Sequence, residues 1–168
     1  MRYSDKAKLL KDIEGFHLPE YNEIPNVGLY LEQTSKYITE VLSPLCENAI
    51  TGSMISNYVK KGLINNPVKK QYDREQIAQL IFIAVVKTVL SMDDIMLTLD
   101  IREKAYKTEK AYTYFAKELE SVIADVFLDK PIAKQTNAEF PDEKRVLRNI
   151  IITVAYKIYL EKYFDLMG

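Results

Sequence analysis

Four lysines, Lys60, Lys61, Lys69 and Lys70, fall in TGSMISNYVKKGLINNPVKKQY, residues 51–72, a stretch without one Asp or Glu. They belong to a set of 23 basic side chains facing 24 acidic ones, so the rest of the chain holds 19 against 24. A local positive charge on an acidic background is directed at something negative. The chemistry open to these residues is phosphate contact through the lysines, with each contact releasing a condensed counterion. Ser53, Ser56 and Asn57, just before the first lysine pair, are the candidates for reading base edges. An Asn side chain pairs bidentately with adenine, whereas Ser is ambiguous. The plainer roles for the same residues are a solvated basic face, a helix cap and ordinary helix surface.

The order of residues around the lysines suits a helix-turn-helix with a small basic wing. Val27–Leu45 has helical spacing through Leu31, Ile38, Val41, Leu42 and Leu45, with Pro44 near its end. Asn48–Thr51 reads as a turn, and Thr51 or Ser53 caps a second helix over Ser53–Lys61. Gly62 stands where a left-handed terminator belongs. Leu63 and Ile64 anchor the exit, and Asn65–Gln71, stiffened by Pro67, forms the loop or wing. Asp73 with Gln76 is a capping box, opening a helix that continues to about Leu90. Its run LIFIAVV is apolar on every side, which predicts a central buried helix. The β-branched content makes a buried strand the competing reading. Ser91 with Asp94 caps a further short helix to about Leu99.

From Ile55 onward the chain resembles the DNA-binding domain of MerR-type transcription regulators. The residues that carry the likeness are Tyr58, Lys60, Gly62 and Leu63, then Lys70 and Tyr72, Asp73 and Glu75, and Ser91-Met92-Asp93-Asp94-Ile95. Ser56 and Asn57 stand where such regulators usually carry Arg and Tyr, and Val59 where an acid is usual. No long coiled-coil heptad follows. Over almost its full length the chain is also similar to the bacterial domain-of-unknown-function family 1836. The similar segments are LPEYNEIPNVGLYLEQTSKYI, TGSMISNYVKKGLI and KKQYDREQIAQLIFI. These resemblances imply a bacterial, MerR-like regulator and carry no established activity.

The remaining sequence frames this unit. Residues 1–26 read as an N-terminal arm or lead-in, a short polar helix or frayed arm to residue 11 and extended over 15–26. Residues 27–100 form the DNA-binding-like unit. Residues 101–168 form a helical lobe suited to dimerisation. In that lobe Thr108–Phe127 carries Tyr112, Phe115, Leu119, Val122, Ile123 and Val126 on one stripe. A loop around Pro131 and Asn137 covers 129–140, and Pro141, Asp142 and Glu143 open a last helix to about Met167. The twelve Tyr without a Trp are mainly packing residues. Tyr106, Tyr112, Tyr114, Tyr156, Tyr159 and Tyr163 also suit an interface or a small-molecule pocket.

Composition narrows the class. A hydrophobic share of 48% with five Gly and six Pro supports an all-α domain with a real core. The single cysteine, Cys46, makes no internal disulfide and no metal spacing, and reads as a core filler. His17, the one histidine, has no acid or nucleophile at suggestive spacing. The start of the chain has no signal-peptide core, and the longest apolar run is too short to span a bilayer. No nucleotide loop, metal cluster or nucleophile–base signature is present. The expectation is a cytoplasmic, cofactor-free regulator that binds DNA as a homodimer and is not an enzyme. Its effector is left open. The alternative is a protein–protein interaction module that keeps the fold without DNA contacts.

Overall fold

The computed structural model describes residues 3–134 and 139–168. Asn137, in the expected loop, and Met1 and Arg2 at the start of the expected arm lie outside the described residues. Seven α-helices are present among them: α1 (Tyr3–Ile13), α2 (Leu31–Leu42), α3 (Gly52–Lys60), α4 (Arg74–Val86), α5 (Met92–Ala105), α6 (Thr108–Phe127) and α7 (Asp142–Met167). A 3-10 turn covers Tyr21–Glu23. The chain is all-α, and Leu80–Val86 is helix.

The capping box decides α4. The Asp73 carboxylate accepts from Gln76 N–H at 2.9 Å, and the Gln76 side chain accepts from Asp73 N–H at 2.9 Å. With its first turn fixed this way, β-branched residues enter a helix because every side of it meets protein. Ile77, Leu80, Ile81, Ile83, Ala84 and Val86 are all buried. The helix packs against α2, α6 and α7. It ends at Val86, earlier than the spacing predicts, because the backbone tightens there. Val89 N–H and Leu90 N–H both donate to Val86 O, while Thr88 Oγ1 donates to Val85 O at 3.0 Å.

Helices α6 and α7 run parallel. Lys144 lies over the Tyr114 ring, Arg148 Nη1 donates to Glu118 Oε2 at 2.6 Å, and the Phe127 and Tyr159 rings meet at 5.3 Å. Partners therefore advance together along both helices, and the connection after Phe127 must travel back along α6 before α7 starts. A short loop would have given antiparallel neighbours. Arg148 is buried and also donates to Ala133 O, which ties the returning connection down.

The N-terminal lead-in is docked onto α6. Leu18 N–H donates to Glu120 Oε1 at 2.8 Å, and the Tyr112 hydroxyl donates to Pro19 O at 2.7 Å. His17 Nδ1 lies 3.1 Å from the same Glu120 oxygen, an acid partner 103 positions away that spacing along the chain did not reveal. Arg74 holds the other end of the lead-in, donating through Nε to Ile24 O and through Nη2 to Asn22 O. Cys46 is half-buried against the core, and burial pushes its thiol pKa up.

Candidate nucleic-acid interface

Helix α3 presents the first half of the predicted site. Thr51 is its cap, accepting from Met54 N–H at 3.2 Å. Gly62 ends it at φ +80°, with Leu63 N–H donating to Tyr58 O and Gly62 N–H to Val59 O. That is the bond pair of a Schellman motif, and it needs a left-handed residue where Gly62 stands. Between these signals Gly52, Ile55 and Tyr58 are buried. Burial raises the Tyr58 pKa, so the hydroxyl stays neutral in the packed face. Ser53, Ser56, Asn57, Lys60 and Lys61 are all exposed. Their spacing is that of one helix face. Lys60 and Lys61 also sit at the C-terminal end, where the helix dipole favours positive charge.

Lys69 and Lys70 are placed at the tip of a two-residue turn. Val68 and Gln71 exchange both backbone hydrogen bonds, at 3.2 and 2.9 Å. Lys69 has φ +51° and Lys70 φ +63°. Two positive φ values in a row mark the mirror-image turn that Asn-Gly normally fills. A lysine in this region costs about 1–2 kcal/mol. Both side chains are exposed, and no carboxylate pairs with any of the four lysines among the described residues.

The loop or wing expected over Asn65–Gln71 forms no pair of strands among the described residues. Among the described residues the pairing consists of two isolated bridges, Val68 with Gln71 and Tyr72 with Leu29. The reason is local. Gln76 Nε2 donates to the carbonyls of Asn65 and Asn66 at 3.0 and 3.2 Å, and Pro67 has no N–H to offer. That leaves fewer backbone groups for a ladder on that side. The Leu29–Tyr72 bridge explains why α2 begins at Leu31 and not at Val27. Gly28 turns the chain at φ +82° to let Leu29 and Tyr72 exchange bonds at 3.0 and 2.8 Å. A side-chain carbon on Gly28 would meet the Gln71 side chain at 2.9 Å.

The connection between α2 and α3 is longer than a compact helix-turn-helix turn, running from Ser43 to Thr51. It is fixed, not loose. Ser35 Oγ and Thr39 Oγ1 both donate to Ile50 O, and Leu45, Ala49 and Ile50 are buried.

Two features escaped the sequence reading, and a third was legible only by residue type. The Glu32 carboxylate lies over the start of α3, 2.5 Å from where a side-chain carbon on Gly52 would stand. Val27, Tyr30 and Val68 are exposed beside the Leu29–Tyr72 bridge and the turn. Only the long-range pairing of Leu29 with Tyr72 gathers them, and no local pattern reports it. Finally, Tyr106 and Tyr114, flagged for their type, meet Lys110 and Lys144 around a cavity. Among the described residues no His, Cys, Asp and Glu group is arranged to hold a metal, and no helix is long and apolar enough to cross a membrane.

Comparison with curated proteins gives no match, and comparison with solved structures gives none. A family model, that of the Domain of unknown function (DUF1836) family, matches residues 19–115. The match runs from the docked lead-in through α2, α3, the lysine turn, α4 and α5 into α6. It contains every residue of the interface and more than half of the 168 residues, and on that extent the chain belongs to the DUF1836 family.

Proposed function

We propose that this protein is a transcription regulator that binds double-stranded DNA with the exposed face of α3 and the Lys69–Lys70 turn, in the manner of a MerR-like helix-turn-helix. The observation that carries this reading is the α3 face itself. Ser53, Ser56, Asn57, Lys60 and Lys61 are exposed together on a helix whose opposite side is buried. A helix of this kind docks in the major groove, with its polar side chains toward base edges and its lysines toward phosphate. The strained lysine turn adds to it, since Asn-Gly would hold the same backbone at lower cost. Lysine there supplies charge in spite of the strain.

Selection from a sheared genomic DNA library tests the proposal. Wild type is expected to enrich fragments that share a short motif. Asn57→Ala should change the preferred base at one position by roughly 1–3 kcal/mol. Lys60→Ala and Lys61→Ala should weaken all fragments alike. Failure of wild type to enrich any fragment would reject the reading.

A second reading has observations of its own. The Glu32 carboxylate by the start of α3 repels a phosphate there, and exposed Val27, Tyr30 and Val68 give the turn an apolar border. The first disfavours phosphate at that point, and the apolar border suits a module that grips a protein partner. In that case the same lysines would matter for protein capture and not for DNA.

A further inference from the structure

A cavity of about 100 Å³ lies between α4, α5, α6 and the start of α7. Protein interiors are packed to crystal-like density and hold few voids larger than a water molecule. This one is lined from four helices, with Ala78, Phe82, Leu99, Ala111, Phe115 and Leu147 among its walls. Two of these are alanines on α4 and α6, which pack together, and a larger side chain at either would take up the space. The Phe82 and Phe115 rings meet edge to face at 5.2 Å. On the outer side the lining residues Ile101, Lys110, Glu143 and Val146 are exposed, which gives a small molecule a way in.

The walls expose almost no polar surface. The polar side chains around the cavity make their hydrogen bonds within the protein. Arg102 Nη1 donates to Thr108 Oγ1 at 3.0 Å, Thr108 Oγ1 donates to Glu75 Oε1 at 2.6 Å, and the Tyr112 hydroxyl donates to Pro19 O at 2.7 Å. The Tyr114 hydroxyl oxygen is closed to water, so that residue offers the cavity its ring alone. Lys110 and Lys144 lie over the Tyr106 ring, their Nζ atoms 5.1 and 5.8 Å from its centre, and are oriented by it. A polar occupant would therefore lose hydration without gaining a partner. An apolar one loses no hydrogen bonds and gains the dispersion contacts that an empty void forfeits.

We propose that this cavity binds an uncharged, apolar molecule about the size of one small ring, and that the bound molecule holds the start of α7 against α4 and α5. An apolar cavity of about 150 Å³ stays dry and takes benzene; this one is somewhat smaller and has a side toward solvent. It joins the family unit to the rest of the chain, because residues 19–115 supply α4, α5 and the start of α6, and α7 lies beyond them. The first turn of α7 has little else to fix it, since its Pro141 cap makes no side-chain hydrogen bond. The site is separate from the α3 face and stands whether or not the protein binds DNA.

The test titrates the full chain with cyclopentane and benzene, and with uncharged pyridine and benzoate as polar rings. Binding is followed by methyl NMR shifts and by amide hydrogen exchange. Benzene is expected to bind saturably with a Kd of about 1 mM. It should shift the methyl signals of Ala78, Leu99, Ala111 and Leu147 and slow exchange over residues 143–148. Pyridine, the same ring with one polar atom, should bind about tenfold more weakly, and benzoate more weakly still. Ala111→Leu should abolish benzene binding, with Ala78→Val in its place if that variant does not fold. The proposal is overturned if neither cyclopentane nor benzene binds saturably, or if the shifts fall elsewhere, such as in the groove between α1 and α6. It is overturned equally if pyridine or benzoate binds as tightly as benzene, if exchange at the start of α7 is unchanged by benzene, or if a folded wall variant binds benzene as wild type does. The wild-type methyl shifts locate the site even if neither variant folds.

Discussion

Lys69 and Lys70 carry the sharpest conflict between stability and charge in the molecule. Both hold positive φ at the tip of a turn, where a side chain is strained and Asn or Gly is not. Replacing them with Asn and Gly should therefore raise stability by about 1–2 kcal/mol. In a chain of this length that is a rise of a few degrees in the melting midpoint. The same variant loses two charges and should bind nucleic acid less well. Calorimetric melting checks the first half, and an unchanged or lower midpoint would show that the turn is not strained. The sequence displays the four lysines but not this strain. Nothing in PVKKQY announces a mirror-image turn, because the residues that usually do so are missing.

Tyr112 gives a prediction at the same scale. Its hydroxyl donates to Pro19 O. Burial chiefly, then Tyr37 and the Glu120 and Glu23 carboxylates, raise its pKa well above the ordinary 10.0. The folded protein keeps a proton that the unfolded chain gives up near pH 10. Stability from this residue is thus complete below that pH and falls as pH rises above it. Tyr112→Phe should cost about 1 kcal/mol at neutral pH for the lost bond and should flatten the alkaline decline. Denaturant midpoints from neutral to strongly alkaline pH, measured on both proteins, decide it; an equally steep decline in the variant would remove Tyr112 as its source.

Among the elements, α3 and α4 were legible because each is bounded by chemistry written locally. Thr51 and Gly62 bound α3, and Asp73 with Gln76 opens α4. Asp73→Ala breaks the box, which also frees Gln76 from its orientation toward Asn65 and Asn66. The expected loss is about 0.5–2 kcal/mol, measured by urea unfolding, with the Lys69–Lys70 turn becoming more open to proteolysis. A variant with unchanged stability would mean that burial alone fixes the start of α4. The boundaries that sequence missed depend on distant partners. α2 starts late because Leu29 pairs with Tyr72. α5 extends to Ala105 and not to about Leu99, although Leu97 and Ile101 are exposed and so give no clean stripe to follow.

At the scale of the whole molecule, α7 offers apolar surface that no other described element covers. Tyr156, Leu160, Phe164 and Met167 are 50%, 47%, 62% and 59% exposed, and their spacing puts them along one stripe. Exposed apolar surface of this kind marks an interface more often than chance. A two-fold dimer through α7 would bury it and would present two α3 faces to one DNA site. Sedimentation at micromolar concentration should give twice the 19.5 kDa chain mass, and Leu160→Glu with Phe164→Asp should return the monomer. A wild-type monomer would contradict the dimer. The parallel course of α6 and α7 was not legible, since a connection of that length permits either direction and only the side-chain partners decide.

The measurement closest to the central claim is the salt dependence of DNA binding. Each lysine–phosphate contact contributes about 0.9 to the slope of log affinity against log salt. Binding of wild type to an enriched fragment is to be compared with that of Lys69→Ala/Lys70→Ala across several salt concentrations. The account predicts a slope shallower by about 2 for the double variant, with weakening on every sequence alike. An unchanged slope, or wild-type binding indifferent to salt, would contradict it and would move the lysine face to the protein-partner reading.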